Sequence, residues 1–263
     1  MGSKPVARPD PWSQLRTISP ARIALGRAGG SLPTHELLDF QLAHARARDA
    51  VNHPFDPAAL AERISALGLP TVVVHSAAVD RRTYLERPDL GRQLSPECDR
   101  SLVPTDPPPD LVLIVSDGLS ALAAERQVVP LFEALLPRVR TSGWRLAPIV
   151  VAALARVAME DDVGQRLGAR AAAIFLGERP GLGAPDGLGA YLVYDPRPGR
   201  SDADRNCVSN IRPEGLPPAA AAETIHYLLG ETLRRKISGI ALKDERPALD
   251  DARHSSLTNR HMD

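Results

Sequence analysis

Four short apolar runs, at residues 71–75, 111–115, 148–152 and 171–176, constrain this chain more than anything else in it. Each is too short to be a buried helix and is flanked by Gly, Pro or small polar residues. Between them, residues 121–139 and 160–167 carry helical spacing and stop near Gly143 and Gly168. A strand covered on both faces reads as an unbroken apolar run. Alternation of such strands with amphipathic helices predicts a parallel sheet between helical layers. The expected fold is α/β: a Rossmann-like, mostly parallel sheet flanked by helices. Residues 191–194 supply a further expected strand. Residues 219–237 supply a closing helix, with Ile225, Leu228, Leu229 and Leu233 at i, i+3, i+4 and i+8.

The segment before the first run reads differently. About thirty residues rich in Pro, Arg and Gly, ending in Gly26-Arg-Ala-Gly-Gly30, suggest an extended arm lying on something else. A helix is expected after Ser31 and Pro33, running to about Ala50, with Leu38, Leu42 and Ala45 on one face. Asp56-Pro57 is a helix start and Gly68 its stop. Beyond Ala241 the tail is polar, patternless and expected to be disordered. The expected division is residues 1–69, an arm and helical region making subunit contacts; 70–243, the α/β domain; and 244–263, the tail.

Composition narrows the function classes. Lys+Arg and Asp+Glu stand at 32 each, so bulk charge gives nucleic-acid binding no support. Aromatics are only 4%, which leaves Leu, Val, Ile and Ala to fill the interior. Cys98 and Cys207 form no CxxC pair and the seven histidines show no ligand spacing, which argues against a disulfide framework or a structural zinc site. The longest apolar runs are too short to span a bilayer, and the first residues lack an apolar signal region. A reducing, cytoplasmic location is expected.

Several motifs carry chemistry beside a plainer reading. Ser116-Asp117-Gly118-Leu-Ser120 follows a buried strand; it can present backbone N–H groups to a ligand, or cap a helix after a tight turn. It matches neither a Walker loop nor GxGxxG. Phe175-Leu-Gly-Glu-Arg-Pro-Gly-Leu-Gly183 empties a strand into a glycine-rich loop, at the strand end where open α/β sheets bind ligands. Glu178 there can accept hydrogen bonds from a large ligand or pair with Arg179 or another cation. Cys207, in Asp204-Arg-Asn-Cys-Val-Ser-Asn-Ile211, is a small buried residue or a ligand contact. As a nucleophile it lacks a base, the nearest histidine being His226 in the closing helix. Tyr84-Leu-Glu-Arg-Pro-Asp-Leu-Gly-Arg-Gln-Leu94 is a charged loop or helix start, solvated or anchoring an adjacent chain through Arg87-Pro88. Glu160-Asp161-Asp162 resembles a divalent-metal cluster, but at a helix start it is read as meeting the helix dipole. His75 is read as hydrogen-bonded structure.

Taken in order, these blocks resemble the small subunit of ethanolamine ammonia-lyase, an adenosylcobalamin-dependent enzyme. The blocks are Gly26-Arg-Ala-Gly, Tyr84 to Leu94, Val115-Ser-Asp-Gly-Leu-Ser120, Leu176 to Gly183, Ala203 to Ile211 and Lys236-Ile-Ser-Gly-Ile240. The likeness covers residues 16–243. It implies a hetero-oligomer in which a large barrel subunit holds the substrate and this chain supplies part of the cobalamin site. Ethanolamine is then converted to acetaldehyde and ammonia by radical chemistry that belongs to the cofactor. The family's cofactor contacts carry over to Val157, Glu178 and Cys207, with no catalytic residue and no metal ligand in this chain. No Asp-x-His-x-x-Gly stretch occurs, which implies that the cofactor's own benzimidazole stays on cobalt. The segment before Arg16 is short, proline-broken and not amphipathic. It is unlike a microcompartment-targeting extension, so entry into a bacterial microcompartment lumen would depend on the large subunit. The competing readings are a stand-alone α/β small-molecule or nucleotide-binding module and a purely structural assembly subunit.

Overall fold

The four apolar runs become the four parallel strands of a six-stranded sheet. In the computed structural model, which describes residues 7–98 and 100–246, the elements follow in chain order. Strands β1 (Ala7–Arg8) and β2 (Arg27–Ala28) pair antiparallel in the arm, and helices α1 (Thr34–Asn52) and α2 (Pro57–Ser65) come next. Then come β3 (Thr71–His75), α3 (Arg81–Glu86), β4 (Leu111–Ser116), α4 (Ala121–Thr141), β5 (Ile149–Ala153), α5 (Met159–Leu167) and β6 (Ala171–Gly177). Strands β7 (Leu188–Tyr194) and β8 (Arg205–Ile211) precede the closing helix α6 (Pro218–Arg235). The order across the main sheet is β3-β5-β4-β6-β7-β8. The first four are mutually parallel, and β7 and β8 add on as antiparallel neighbours.

The α/β expectation therefore holds, with a mixed sheet. Every residue of β4 and β6 is buried, because both faces are covered. Leu111, Leu113, Val115, Ala173 and Phe175 point to one face and pack on α2, α4 and α6, where Phe132 meets Phe175 edge-on at 5.1 Å. Val112, Ile114, Ala172 and Ile174 point to the other and pack on α5 and on Leu94, Cys98 and Leu102. Chain direction explains this split. The connections from β3 to β4 and from β5 to β6 run one way along the sheet and lie on one face. The connection from β4 to β5 runs back and lies on the opposite face, as a single crossover hand requires.

Local chemistry fixes the helix ends. Asp56 accepts from the Ala59 N–H at 2.9 Å with Pro57 at the first helical position, and α5 stops at Gly168 with φ +66°. Two expectations need correction. Leu38 and Leu42 do not face the core; they are 58% and 50% exposed, while Ala43, Ala50 and Glu36 are turned inward. Small alanines let α1 lie close against its neighbours, which leaves its larger apolar side chains outside. Residues 191–194 belong to a longer strand, and β8 is an additional one. Its apolar period is broken because this edge strand buries only Arg205, Val208 and Ile211. A C-terminal segment pins that edge. The Ser238 hydroxyl donates to the Asp204 carbonyl and accepts from the Tyr194 N–H, while Asn206 bonds to Gly239 and to the Leu242 carbonyl. Of the polar tail expected at 244–263, residues 247–263 lie outside the described residues.

Candidate functional site

The carboxyl ends of β4, β5 and β6 converge, and two glycines let them do so. Gly118 has φ +52°, and a Cβ there would strike the Gly177 carbonyl; one at Gly177 would strike the Ser120 carbonyl. The turn between them is closed on itself. Gly118 N–H bonds to the Ser116 hydroxyl, Leu119 N–H to the Gly177 carbonyl, and Ser120 N–H to the Asp117 carbonyl. Ser120 caps α4 through the Ala123 N–H. The cap-and-turn reading of residues 116–120 thus describes the structure, and these N–H groups are not offered to a ligand. Asp117 is buried and accepts from the Leu154 N–H at 2.7 Å, the Ser116 hydroxyl at 3.0 Å and Arg81 Nη1 at 2.9 Å. Desolvation raises its carboxyl pKa in spite of Arg81. Asp117 ties the end of β4 to the loop leaving β5.

Beside this junction opens a cavity of about 420 Å³. Leu119, Arg156 and Val157 come from the loops after β4 and β5. Leu176, Gly177, Glu178 and Arg179 come from the end of β6, Tyr191 from β7 and Tyr84 from α3. The structure therefore brings Val157 and Glu178 into one cavity. Glu178 does not pair with Arg179. Both its carboxylate oxygens accept from the Asn210 N–H at 3.2 Å, which anchors it to β8. A Cβ at Gly187 or Gly189 would come within 3.1 Å of that carboxylate, so the two glycines leave room for it. A larger hollow, about 570 Å³, lies at Arg8, Pro9, Gly26 and Arg27 in the arm, away from the strand ends, and gathers no group suited to the chemistry here.

Cys207 is not part of the cavity wall but pairs with Tyr191 across β7 and β8. It is exposed rather than buried, which corrects the plainer reading of this thiol. Its sulfur end is partly desolvated against Tyr191. That desolvation, with the nearby Glu178 carboxylate, pushes the thiol pKa up, opposite to what a nucleophile needs. The Tyr191 hydroxyl is likewise raised, by burial first and then by Cys207 and Glu178. His226 is remote from this edge, stacked on Trp144 at 5.3 Å. His75 bonds its ring to the Ser76 carbonyl at 2.9 Å, in keeping with a structural role.

Sequence reasoning missed three parts of the site. Tyr191 lines the cavity from a strand whose register was not foreseeable. Tyr84 and Arg156 meet only when α3 is laid against the loop after β5. Arg87, read as a possible anchor for another chain, pairs with Asp89 at 2.7 Å on the surface. The third part is Arg205, beside Cys207. It is buried, and it reaches Glu160 at 2.5 Å and Asp161 at 2.6 Å at the start of α5. The acidic triplet does sit in the first turn of α5, yet its first two members face inward to this guanidinium, and Asp162 accepts from the Leu94 N–H. Burial drives the Glu160 carboxyl pKa well above its ordinary value, and Asp161 rises for the same reason. Burial alone would lower that of Arg205, but Asp161 and Glu160 hold it up.

The sequence matches a known family. Residues 9–243 match the family model described as ethanolamine ammonia-lyase light chain. The chain belongs to that family. It is 53% identical over 249 residues to a protein of Azotobacter vinelandii, covering 93% of this chain and 92% of the relative. A Ralstonia nicotianae relative is 53% identical with 94% of each chain covered, and one from Xanthomonas campestris pv. campestris is 52% identical with 99% and 98% covered. All three are named ethanolamine ammonia-lyase small subunit. Members of this family are lyase subunits, so the site is weighed below as part of a larger enzyme. Among the described residues no helix is long and apolar enough to cross a membrane.

Proposed function

We propose that this chain acts as the small subunit of an adenosylcobalamin-dependent ethanolamine ammonia-lyase. In this reading it holds one edge of the cofactor against a large barrel subunit while ethanolamine is converted to acetaldehyde and ammonia. The observation that carries the reading is one cavity at the carboxyl ends of β4, β5 and β6. It gathers Val157 and Glu178 from separate sequence blocks, with Cys207 on the strand pair beside them.

The residues present suit the group. A corrin ring rimmed with amides needs acceptors for amide N–H groups, donors for amide oxygens and apolar contact along its edge. Glu178 supplies a carboxylate with its anchor already in place. Arg156 and Arg179 supply donors, and Val157, Leu119 and Leu176 supply apolar surface. The cavity is too small to enclose a corrinoid and suits one edge of it, leaving the remainder to the partner. When bound, the cofactor supplies the radical chemistry. This chain binds, orients and excludes water.

The arm and α1, within residues 1–69, supply subunit contacts in this reading, and Leu38 and Leu42 are available for them. The assembly is placed in the cytoplasm, or in a microcompartment lumen through the large subunit. Co-expression with the large subunit of the same genome tests the whole. Aldehyde release from ethanolamine is expected to require both chains and adenosylcobalamin. A large subunit that deaminates ethanolamine equally well without this chain would overturn it.

A further inference from the structure

Tyr84 lines the cavity yet is only 1% exposed, and two guanidinium groups lie over its ring. Arg81 stands 5.0 Å from the ring centroid and Arg156 stands 4.5 Å from it. Their circumstances differ. Arg81 has a carboxylate counter-ion: Nη1 donates to Asp117 and to the Gly118 carbonyl and Nε to the Val51 carbonyl, while Nη2 is buried without a partner. Arg156 has no carboxylate partner among the described residues. Its Nη2 donates to the Tyr84 carbonyl at 2.9 Å, and its Nε is buried without a hydrogen-bond partner.

The surroundings hold this arrangement in place. The Tyr84 hydroxyl donates to the Ala155 carbonyl, and the Arg156 N–H donates to the Gly91 carbonyl at 2.7 Å. A Cβ at Gly91 would press on the Tyr84 ring at 3.0 Å and on Arg156 Cγ at 3.1 Å, so glycine there makes room for the stack. A cation fixed on an aromatic face, with no counter-ion and at a cavity wall, is a donor awaiting an oxygen.

We propose that Arg156 is a further ligand-binding residue of this cavity and that Tyr84 is its positioning residue. The ring aims the guanidinium at an acceptor oxygen of the molecule held by Glu178. The inference rests on the cobalamin reading above. The oxygen belongs to a peripheral amide or to the phosphate of the nucleotide loop; both present the same acceptor chemistry.

The test uses the purified complex of this chain with its large subunit, titrated with cyanocobalamin and followed by its visible spectrum. Arg156→Gln is expected to weaken binding about 10–100-fold. Tyr84→Leu is expected to weaken it about 3–30-fold, while Tyr84→Phe, which keeps the ring and loses the hydroxyl, stays within about twofold of wild type. In the soluble variants the loss is expected in cobalamin affinity first, with a smaller change in the ethanolamine KM at saturating cofactor. Cobinamide, which lacks the nucleotide loop, locates the oxygen. If Arg156→Gln has no effect on cobinamide the phosphate is the acceptor, and if the effect persists an amide is; either supports the proposal. Wild-type affinity in Arg156→Gln overturns it, as do equal losses in Tyr84→Phe and Tyr84→Leu. Should Tyr84→Leu fail to fold, Arg156→Gln alone decides. A wild-type complex that takes up no cyanocobalamin defeats the underlying reading instead.

Discussion

Glu178 is an acceptor with half of its work already done. The Asn210 N–H and the room left by Gly187 and Gly189 fix the carboxylate before any ligand arrives. Glu178→Ala, in the complex with the large subunit, is therefore expected to weaken cobalamin binding by about 1.5–3 kcal/mol. The ethanolamine KM should stay within about twofold; an equal loss of substrate affinity would sink the assignment. Cys207→Trp is expected to act in the same direction by bulk, crowding Tyr191 on the neighbouring strand. Glu160 gives a different kind of prediction. Its folded-state pKa lies well above the ordinary carboxyl value because burial outweighs Arg205. The folded chain thus binds this proton more tightly than the unfolded chain does. Its stabilising contribution is complete at acid pH and is lost as pH rises from the unfolded value toward the folded one. Glu160→Gln keeps the shape and has no such proton to lose. As pH rises through and above the ordinary carboxyl range, its unfolding free energy should gain on wild type. Urea titrations of both proteins across that range measure it, and a pH-independent gap would count against the buried-carboxyl account. Glu178 drew notice in the sequence because it sits in a short block of unusual local chemistry, and it does line the cavity. Arg156, Tyr84 and Tyr191 could not be grouped with it, because what brings them to the same cavity is contact between elements far apart in the chain.

At the scale of elements, β8 is held by two unlike devices. One is the ion cluster of Arg205 with Glu160 and Asp161, which ties this edge strand to the start of α5 and so couples Cys207 to the segment bearing Val157. Arg205→Met removes the cation and the hydrogen bonds that satisfy two buried carboxyl groups and is expected to cost about 3–5 kcal/mol at neutral pH. Adding Glu160→Gln and Asp161→Asn to that variant should restore most of the loss, since the penalty lies in the buried acidic groups left without Arg205. Thermal or urea unfolding of the two variants compares them, and an equal deficit in both would contradict the mechanism. The parallel strands and the helix ends at Asp56, Ser120 and Gly168 were readable because each signal is local. The edge strand β8 was not, since it buries a guanidinium where an apolar residue would have marked the period. Helix α1 misled for a related reason: its apolar side chains recur at helical spacing, but spacing says nothing of which face meets this chain. Helix α4 carries Pro130 and Pro137 seven residues apart on its exposed side, where their missing N–H groups lie away from the core.

Across the whole molecule, the sheet is thoroughly covered at β4 and β6 and thinly covered at its arm. Trp12 and Ile18 in the arm and Leu38 and Leu42 on α1 are all at least half exposed. Leu38→Glu with Leu42→Glu is expected to leave the melting temperature of the isolated chain unchanged, because neither side chain packs internally. Co-purification with the large subunit should fall sharply; undiminished pairing would remove α1 from the interface. The bonds from Ser238, Gly239 and Leu242 to Tyr194, Asp204 and Asn206 add a matter of timing. Synthesis delivers β3 to β6 and their helices first, and these can assemble as they appear. The strand pair flanking the cavity lacks this second set of bonds until residues 238–242 follow. A message that stops just short of Ser238 would therefore yield a chain whose β7–β8 edge keeps its Arg205 cluster but loses these bonds and the buried Leu242 side chain.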